Sequence, residues 1–108
     1  MQITLINQEQ YNRLKEIQFN YPTLTYQNKG YDYPKTDEWS EDDNKAFKEV
    51  EDLLKEHIRG FSKLNHFRIS KKGEIQLRFQ YNYNWRGYGL PFIGVGYIDL
   101  KELLNGFN

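Results

Sequence analysis

The sequence predicts an α+β domain in two layers: an antiparallel meander sheet of three or four strands with two or three helices on one face. Three observations carry this. Residues 74–85 alternate apolar and polar without a break. A glycine-bearing loop, Lys71-Lys72-Gly73, separates that run from a second alternating one. Three further stretches repeat apolar residues at helical spacing behind a capping residue. Helices and an antiparallel sheet in one short chain bury their apolar sides against each other as two layers.

The first element is a helix over about residues 8–19. Asn7 is the N-cap, Gln10 at the third helical position completes a capping box, and Ile6 is placed to staple onto Tyr11. Tyr11, Leu14 and Ile17 form a narrow apolar stripe. Asn20 and the Tyr21-Pro22 pair stop the helix, because the residue before proline avoids helical backbone angles. Residues 21–39 are expected to be irregular, with a short strand at Thr23–Tyr26 and a turn-rich loop at Gly30–Pro34.

The second helix spans about residues 41–59. Ser40 caps it, and Glu41, Asp42 and Asp43 place negative charge where the helix dipole favours it. Phe47, Val50, Leu53, Leu54 and Ile58 make one apolar face. Lys55, His57 and Arg59 fill the last turn, and Gly60 is the left-handed stop.

A hairpin follows, with strands Leu64–Ser70 and Glu74–Trp85 around a three-residue loop. With Ser70 facing Glu74, Ile69 meets Ile75, Phe67 meets Leu77 and Asn65 meets Phe79. The other face then pairs Arg68 with Gln76 and His66 with Arg78. One face is apolar and one polar, as a half-buried sheet requires. A third strand at about Phe92–Ile98 comes after the turn Arg86-Gly87-Tyr88-Gly89. Gly94 and Gly96 share one of its faces and leave room for a large neighbour, Trp85 or a tyrosine. The last helix starts at Asp99, with Glu102 completing a capping box, Leu100, Leu103, Leu104 and Phe107 on its apolar side and Gly106 at its end.

At 108 residues and 13.1 kDa the chain is expected to form one domain, 1–108, with one core. The absence of cysteine excludes a disulfide scaffold, a thiolate zinc site and a cysteine nucleophile. No apolar run approaches the roughly 20 residues of a membrane span, and the polar start does not read as a signal peptide, so a cytoplasmic protein is expected. Asn, Lys, Ile, Tyr and Phe are abundant and share A/T-rich codons, which suits an AT-rich bacterium or its phage.

Catalytic and cofactor sets are hard to find. The histidines are His57, at a helix end, and His66, expected on the polar sheet face beside Arg78, where a neighbouring cation lowers its pKa. No carboxylate is placed to orient either as a general base. No His or Cys spacing suits a metal, and the acids at 37–43 suit a helix N-terminus. The glycines at 87, 89, 94 and 96 match no phosphate-binding loop. The reading is therefore non-enzymatic, with no cofactor and no metal.

Charge distribution is more informative. From Asp32 to Glu56 ten acids face four lysines, a net of −6, whereas from Ile58 to Tyr88 seven bases face Glu74 alone, a net of +6. A neutral total hides a bipolar chain. The pairs Glu41–Lys45, Lys45–Glu49, Lys48–Asp52 and Glu51–Lys55 have the spacing of a salt-laced helix surface. On the sheet, His66, Arg68, Gln76, Arg78, Gln80, Asn82 and Asn84 are expected to project together, with Tyr81, Tyr83, Trp85, Arg86 and Tyr88 adding aromatic surface nearby, although most of these aromatics alternate toward the core as packing.

These features lead to the expectation of a small binding protein that inhibits or neutralises a protein partner by occlusion, in the manner of a toxin immunity protein or a phage counter-defence inhibitor of the anti-CRISPR or anti-restriction type. The partner is expected to be a toxin or a nucleic-acid-handling enzyme. Its candidate contacts are Arg68, Arg78, Gln80, Asn82, Asn84, Arg86 and Tyr88 on the basic side. On the acidic side they are Glu49, Asp52 and Glu56, where carboxylates stand in for phosphates. The alternative is nucleic-acid or nucleotide binding by the polar face of the 64–85 hairpin, with arginines and aromatics on the bases.

Overall fold

Three antiparallel strands in the order β1-β2-β3 make the sheet: β1 Phe61–Ile69, β2 Ile75–Asn84 and β3 Pro91–Asp99. Three helices complete the α+β layout: α1 Gln8–Asn20, α2 Glu41–His57 and α3 Leu100–Asn105. The structure, a computed structural model, describes residues 2–26, 39–84 and 91–106, with only the backbone of 83, 84, 91 and 92. No helix among them is long and apolar enough to cross a membrane.

Both expected capping boxes form, and α2 adds a third behind its expected N-cap Ser40. Asn7 Oδ1 accepts from the Gln10 amide at 2.8 Å while Gln10 Oε1 accepts from the Asn7 amide at 2.9 Å. Ser40 and Asp43 repeat this at α2, and Asp99 and Glu102 at α3. Each box satisfies amides that lack a partner in the first turn. Thr23–Tyr26 is not a strand. Pro22–Leu24 winds into a 3-10 turn, and only Thr25 bridges to Phe67, in the parallel sense. Proline at the first position favours the turn, because it has no amide to give a ladder.

The second helix ends at His57, two residues before the expected Arg59. Tertiary pairing takes over there. Ile58 adopts extended backbone and bridges Ile3, the Thr4 amide donates to the His57 carbonyl at 2.7 Å, and the Arg59 amide donates to the Gln2 carbonyl at 3.0 Å. Gly60 follows at φ 81°, and a Cβ on it would lie 2.8 Å from the Asn82 carbonyl oxygen, so both conformation and space select glycine.

The hairpin register agrees with the sequence from the loop as far as His66↔Arg78, then departs from it. Leu64, and not Asn65, faces Phe79, because a bulge inserts an extra residue between Leu64 and His66. A second irregularity separates Phe61 from Lys63 and extends β1 back to Phe61. The bulge brings Leu64 into the core and keeps an amide side chain away from Phe79. The core lies between the inner sheet face (Leu64, Phe67, Leu77, Phe79, Ile98) and the helices (Leu14, Ile17, Val50, Leu54, Leu103), all buried. Ala46, outside the expected apolar stripe of α2, is buried too.

Gly96 sits opposite Phe79, and Gly94 opposite Tyr81. A Cβ at Gly96 would come within 2.7 Å of the Phe79 ring, and one at Gly94 within 2.5 Å of Tyr81. The glycines thus leave room for large rings, as the sequence suggests, with Phe79 and Tyr81 as the occupants.

Candidate functional site

The outer face of the sheet is built from alternate residues of three strands. Gln76, Arg78, Gln80 and Asn82 run along β2, with Arg68, His66 and Lys63 paired to them from β1. From β3, Tyr97 is paired with Arg78, Val95 with Gln80 and Ile93 with Asn82. The period of two that sends Leu77 and Phe79 inward sends these residues outward.

Two arginines are organised by one tyrosine. The Arg68 guanidinium lies over the Tyr97 ring, 4.9 Å from its centroid, and Arg78 Nε donates to Tyr97 Oη at 3.2 Å. A cation over a ring face is attracted by the ring quadrupole, and the ring stiffens a side chain with many rotamers. Among the described residues neither arginine has a carboxylate partner. Beside them, Ile93 is 67 % exposed and Val95 and Tyr97 are also exposed. The face is therefore a basic and amide stripe bordered by an apolar row.

His66 departs from expectation. It has the outward register position opposite Arg78, yet it is 4 % exposed. Tyr26 covers it, ring on ring at a centroid distance of 5.2 Å and an interplanar angle of 24°. Its Nδ1–H donates to the Phe67 carbonyl at 3.0 Å. Burial holds the imidazole pKa below its ordinary value, and Arg78 and Arg68 push it further down. Tyr26 reaches this position because its amide donates to the Phe67 carbonyl at 2.7 Å, which lays the segment along β1. His66 is thus a covered sheet residue and not part of the open face. A groove of about 530 Å³ opens beside it, with Tyr26, Arg68 and Lys71 in its lining.

Tyr81 follows the alternation that sends Phe79 inward. It points inward over Gly94, tilted against Phe79 at 6.1 Å, and supplies no stacking surface outside. Asn84 ends β2, with its backbone described; Arg86, Tyr88 and Trp85 lie outside the described residues, as do Asp37 and Glu38.

The acidic candidates sit in the other layer. Glu49, Asp52 and Glu56 are exposed on one side of α2, facing α1. Glu49 is held by Arg13 of α1 through two bonds, Nε to Oε2 at 2.7 Å and Nη2 to Oε1 at 3.0 Å. This fork draws the Glu49 carboxyl below its usual range and raises the Arg13 pKa. None of the four expected i,i+4 pairs of α2 closes. Glu49 pairs with Arg13, and Glu51 Oε2 turns inward to accept from the Leu64 amide at 3.1 Å. Sequence spacing compares residues within one helix, so it misses partners brought in from another element.

The row Ile93, Val95 and Tyr97 is the alternate set to Gly94 and Gly96, and the contacts expected from the sequence do not include it. The signal is that glycines on one face of a strand leave the other face to define its surface. His57 donates from Nδ1 to the Thr4 carbonyl at 2.8 Å, a structural contact at the helix end. Among the described residues no group of three or more His, Asp or Glu is placed to hold a metal ion. No family model, no curated protein and no solved structure matches this chain.

Proposed function

We propose that this protein is a small non-enzymatic binder that neutralises a protein partner by covering its working surface, in the manner of a toxin immunity protein or a phage counter-defence inhibitor. The outer sheet face is the contact surface. The observation that carries this reading is the juxtaposition of two carboxylate-free arginines, held by Tyr97, with the exposed row Ile93 and Val95. Tyrosine and arginine dominate the energetics of protein interfaces, and exposed aliphatics beside them supply the apolar centre. Ordered arginines lose less side-chain entropy on binding.

The inward turn of Tyr81 favours a protein partner over a single-stranded nucleic acid. Stacking on bases needs free ring faces, and the described aromatic on this face, Tyr97, already carries Arg68. The test is capture from the native host with the tagged protein, followed by reconstitution with the purified partner. Arg68→Glu with Arg78→Glu, and separately Ile93→Asp, should abolish both capture and loss of partner activity while the fold persists. Normal inhibition by both variants overturns the reading. Salt-sensitive binding of single strands that these variants abolish would replace it with the nucleic-acid alternative.

A further inference from the structure

The two edges of the sheet differ. The β1 edge is covered: Thr25 bridges Phe67, and the Tyr26 amide donates to the Phe67 carbonyl at 2.7 Å. β3 is the last strand in the order β1-β2-β3, and among the described residues no segment pairs with its far side. An open edge is a template for another strand, and proteins commonly guard it with a charge or a proline in mid-strand. β3 has neither: its proline stands at the first position, and no charge occurs before Asp99.

The ladder decides which backbone groups point to that edge. The Ser70 amide donates to the Glu74 carbonyl at 2.9 Å, and the Asn82 amide to the Gly60 carbonyl at 2.8 Å, so the even-numbered residues along β2 give their backbone groups to β1. These groups alternate sides along a strand. Leu77, Phe79 and Tyr81 therefore bond to β3, where their partners are Ile98, Gly96 and Gly94. This leaves the N–H and C=O of Ile93, Val95 and Tyr97 on the open side. The Asp99 amide, next in that series, points the same way and donates to Glu102 Oε1 at 3.0 Å. The side chains of Ile93, Val95 and Tyr97 are exposed as well, so the same residues present an apolar row and a bare edge.

We infer that β3 pairs antiparallel with β3 of a second copy of this chain, about a twofold axis at Val95, and joins two sheets into one of six strands. The strand, PFIGVGYID, is close to a palindrome about that residue. Ile93 meets Tyr97 of the second copy, Val95 meets Val95, and Gly94 meets Gly96. Every outward N–H and C=O of Ile93, Val95 and Tyr97 then finds a partner. Sliding the register by two residues sets Tyr97 against Pro91, which has no amide, or Ile93 against Asp99, whose amide is taken by Glu102. A slip of one residue offers groups already bonded to β2. On the outer face the aliphatic–aromatic pairs Ile93–Tyr97 flank Val95–Val95, a favourable cross-strand set. On the inner face the glycines put no side chain in the way. α3 starts at Leu100, about 17 Å from Val95 at the rise of a strand, and leaves the seam clear. A foreign strand would find an uncharged edge with no preferred register; the near-palindrome selects a second copy. Pairing at the edge leaves Arg68 and Arg78 open on the outer face and needs no partner protein, so it stands apart from the occlusion reading.

Sedimentation velocity of the full chain alone tests this. A monomer–dimer equilibrium should appear between about 10 and 500 µM, because a seam one strand long is a small interface. Val95→Lys opposes two cations at the axis and should weaken association about tenfold or more. Its circular dichroism and urea midpoint at dilute concentration should match wild type, since Val95 is exposed. The chain has no cysteine, so an introduced thiol reports the register. Val95→Cys should cross-link on mild oxidation, its Cα atoms lying about 5.5 Å apart across the axis, within disulfide reach. Ile93→Cys should not cross-link alone, because its two copies lie about 13 Å apart, but it should do so when mixed with Tyr97→Cys. A chain still monomeric at about 0.5 mM, where even a small interface would be populated, overturns the proposal. So does undiminished association of Val95→Lys, or equal cross-linking of Val95→Cys and Ile93→Cys. A chain that stays monomeric yet captures and inhibits a host protein overturns this inference alone and leaves the occlusion reading standing.

Discussion

The outer sheet face and the α1–α2 seam are opposites built from the same kinds of parts. On the sheet the charge is positive, central and organised by an aromatic ring, with the apolar row to one side. Between α1 and α2 the apolar residues Leu14, Ile17 and Val50 are closed off in the core, and the negative charge of Glu9, Asp52 and Glu56 lies along the outside of the seam. A chain with equal numbers of acids and bases thus presents two surfaces of opposite sign, one in each layer. Net charge says nothing of this, because the fold and not the total decides where like charges gather.

The strongest way to break the comparison is to remove the core that both surfaces share. Leu54→Ala, at a fully buried position of α2, should cost about 2–5 kcal/mol in urea unfolding and disable both surfaces together. Leu53→Ala, at a half-buried position of the same helix facing α1, should cost clearly less and leave the sheet face working. Equal losses from the two would show that Leu53 is as enclosed as Leu54.

Next in size is the charge on the sheet. Arg68→Glu with Arg78→Glu should reduce partner affinity by at least about 2 kcal/mol, roughly thirtyfold, in a titration against the captured partner, with the unfolding midpoint little changed. Asp52→Lys with Glu56→Lys should leave that affinity near wild type if the surfaces are independent. Gly96→Ala tests whether the inner packing supports the outer row. The added Cβ meets the buried Phe79 ring at 2.7 Å, so about 1–3 kcal/mol of stability should be lost, read by thermal unfolding.

The covered histidine sharpens the contrast through pH. His66 has a folded pKa below its ordinary 6.5, so the unfolded chain binds the proton first as pH falls. Its contribution is fully present above about pH 6.5 and is lost as pH drops through the lower folded value. His66→Gln should flatten the rise of stability with pH in that window, measured by urea unfolding at several pH values. An unchanged slope would mean that His66 is wet and the face larger than described. The smallest effect belongs to the Arg13–Glu49 fork. Both side chains are nearly half exposed, so a double-mutant cycle should give about 0.5–1 kcal/mol, falling with salt.

Much of this molecule could be read from residues near each other in the chain. Asn7 with Gln10, Ser40 with Asp43 and Asp99 with Glu102 each close a hydrogen-bond ring over three residues, so their spacing already implies the contact. The alternation of β2 implies which side faces the core, and the Lys71–Gly73 loop sets the first steps of the register. Arg68, Arg78, Gln80 and Asn82 follow from that and lie on the outer face as expected. His66 has the right parity and the wrong environment, because its cover, Tyr26, is forty residues away in the chain.

The three helices and three strands, their N-caps and the polarity of the sheet follow from hydrogen bonds and periodicities spanning a few residues, whereas the Thr23–Tyr26 segment does not take the strand its alternation suggests. The Leu64 bulge, the end of α2 against Ile3, the burial of His66 and the coupling of Arg13 to Glu49 arise in the assembled fold. Each compares a local preference with a contact made by a distant segment. Burial of apolar area and satisfaction of buried polar groups decide such contests, and both are properties of the assembled core.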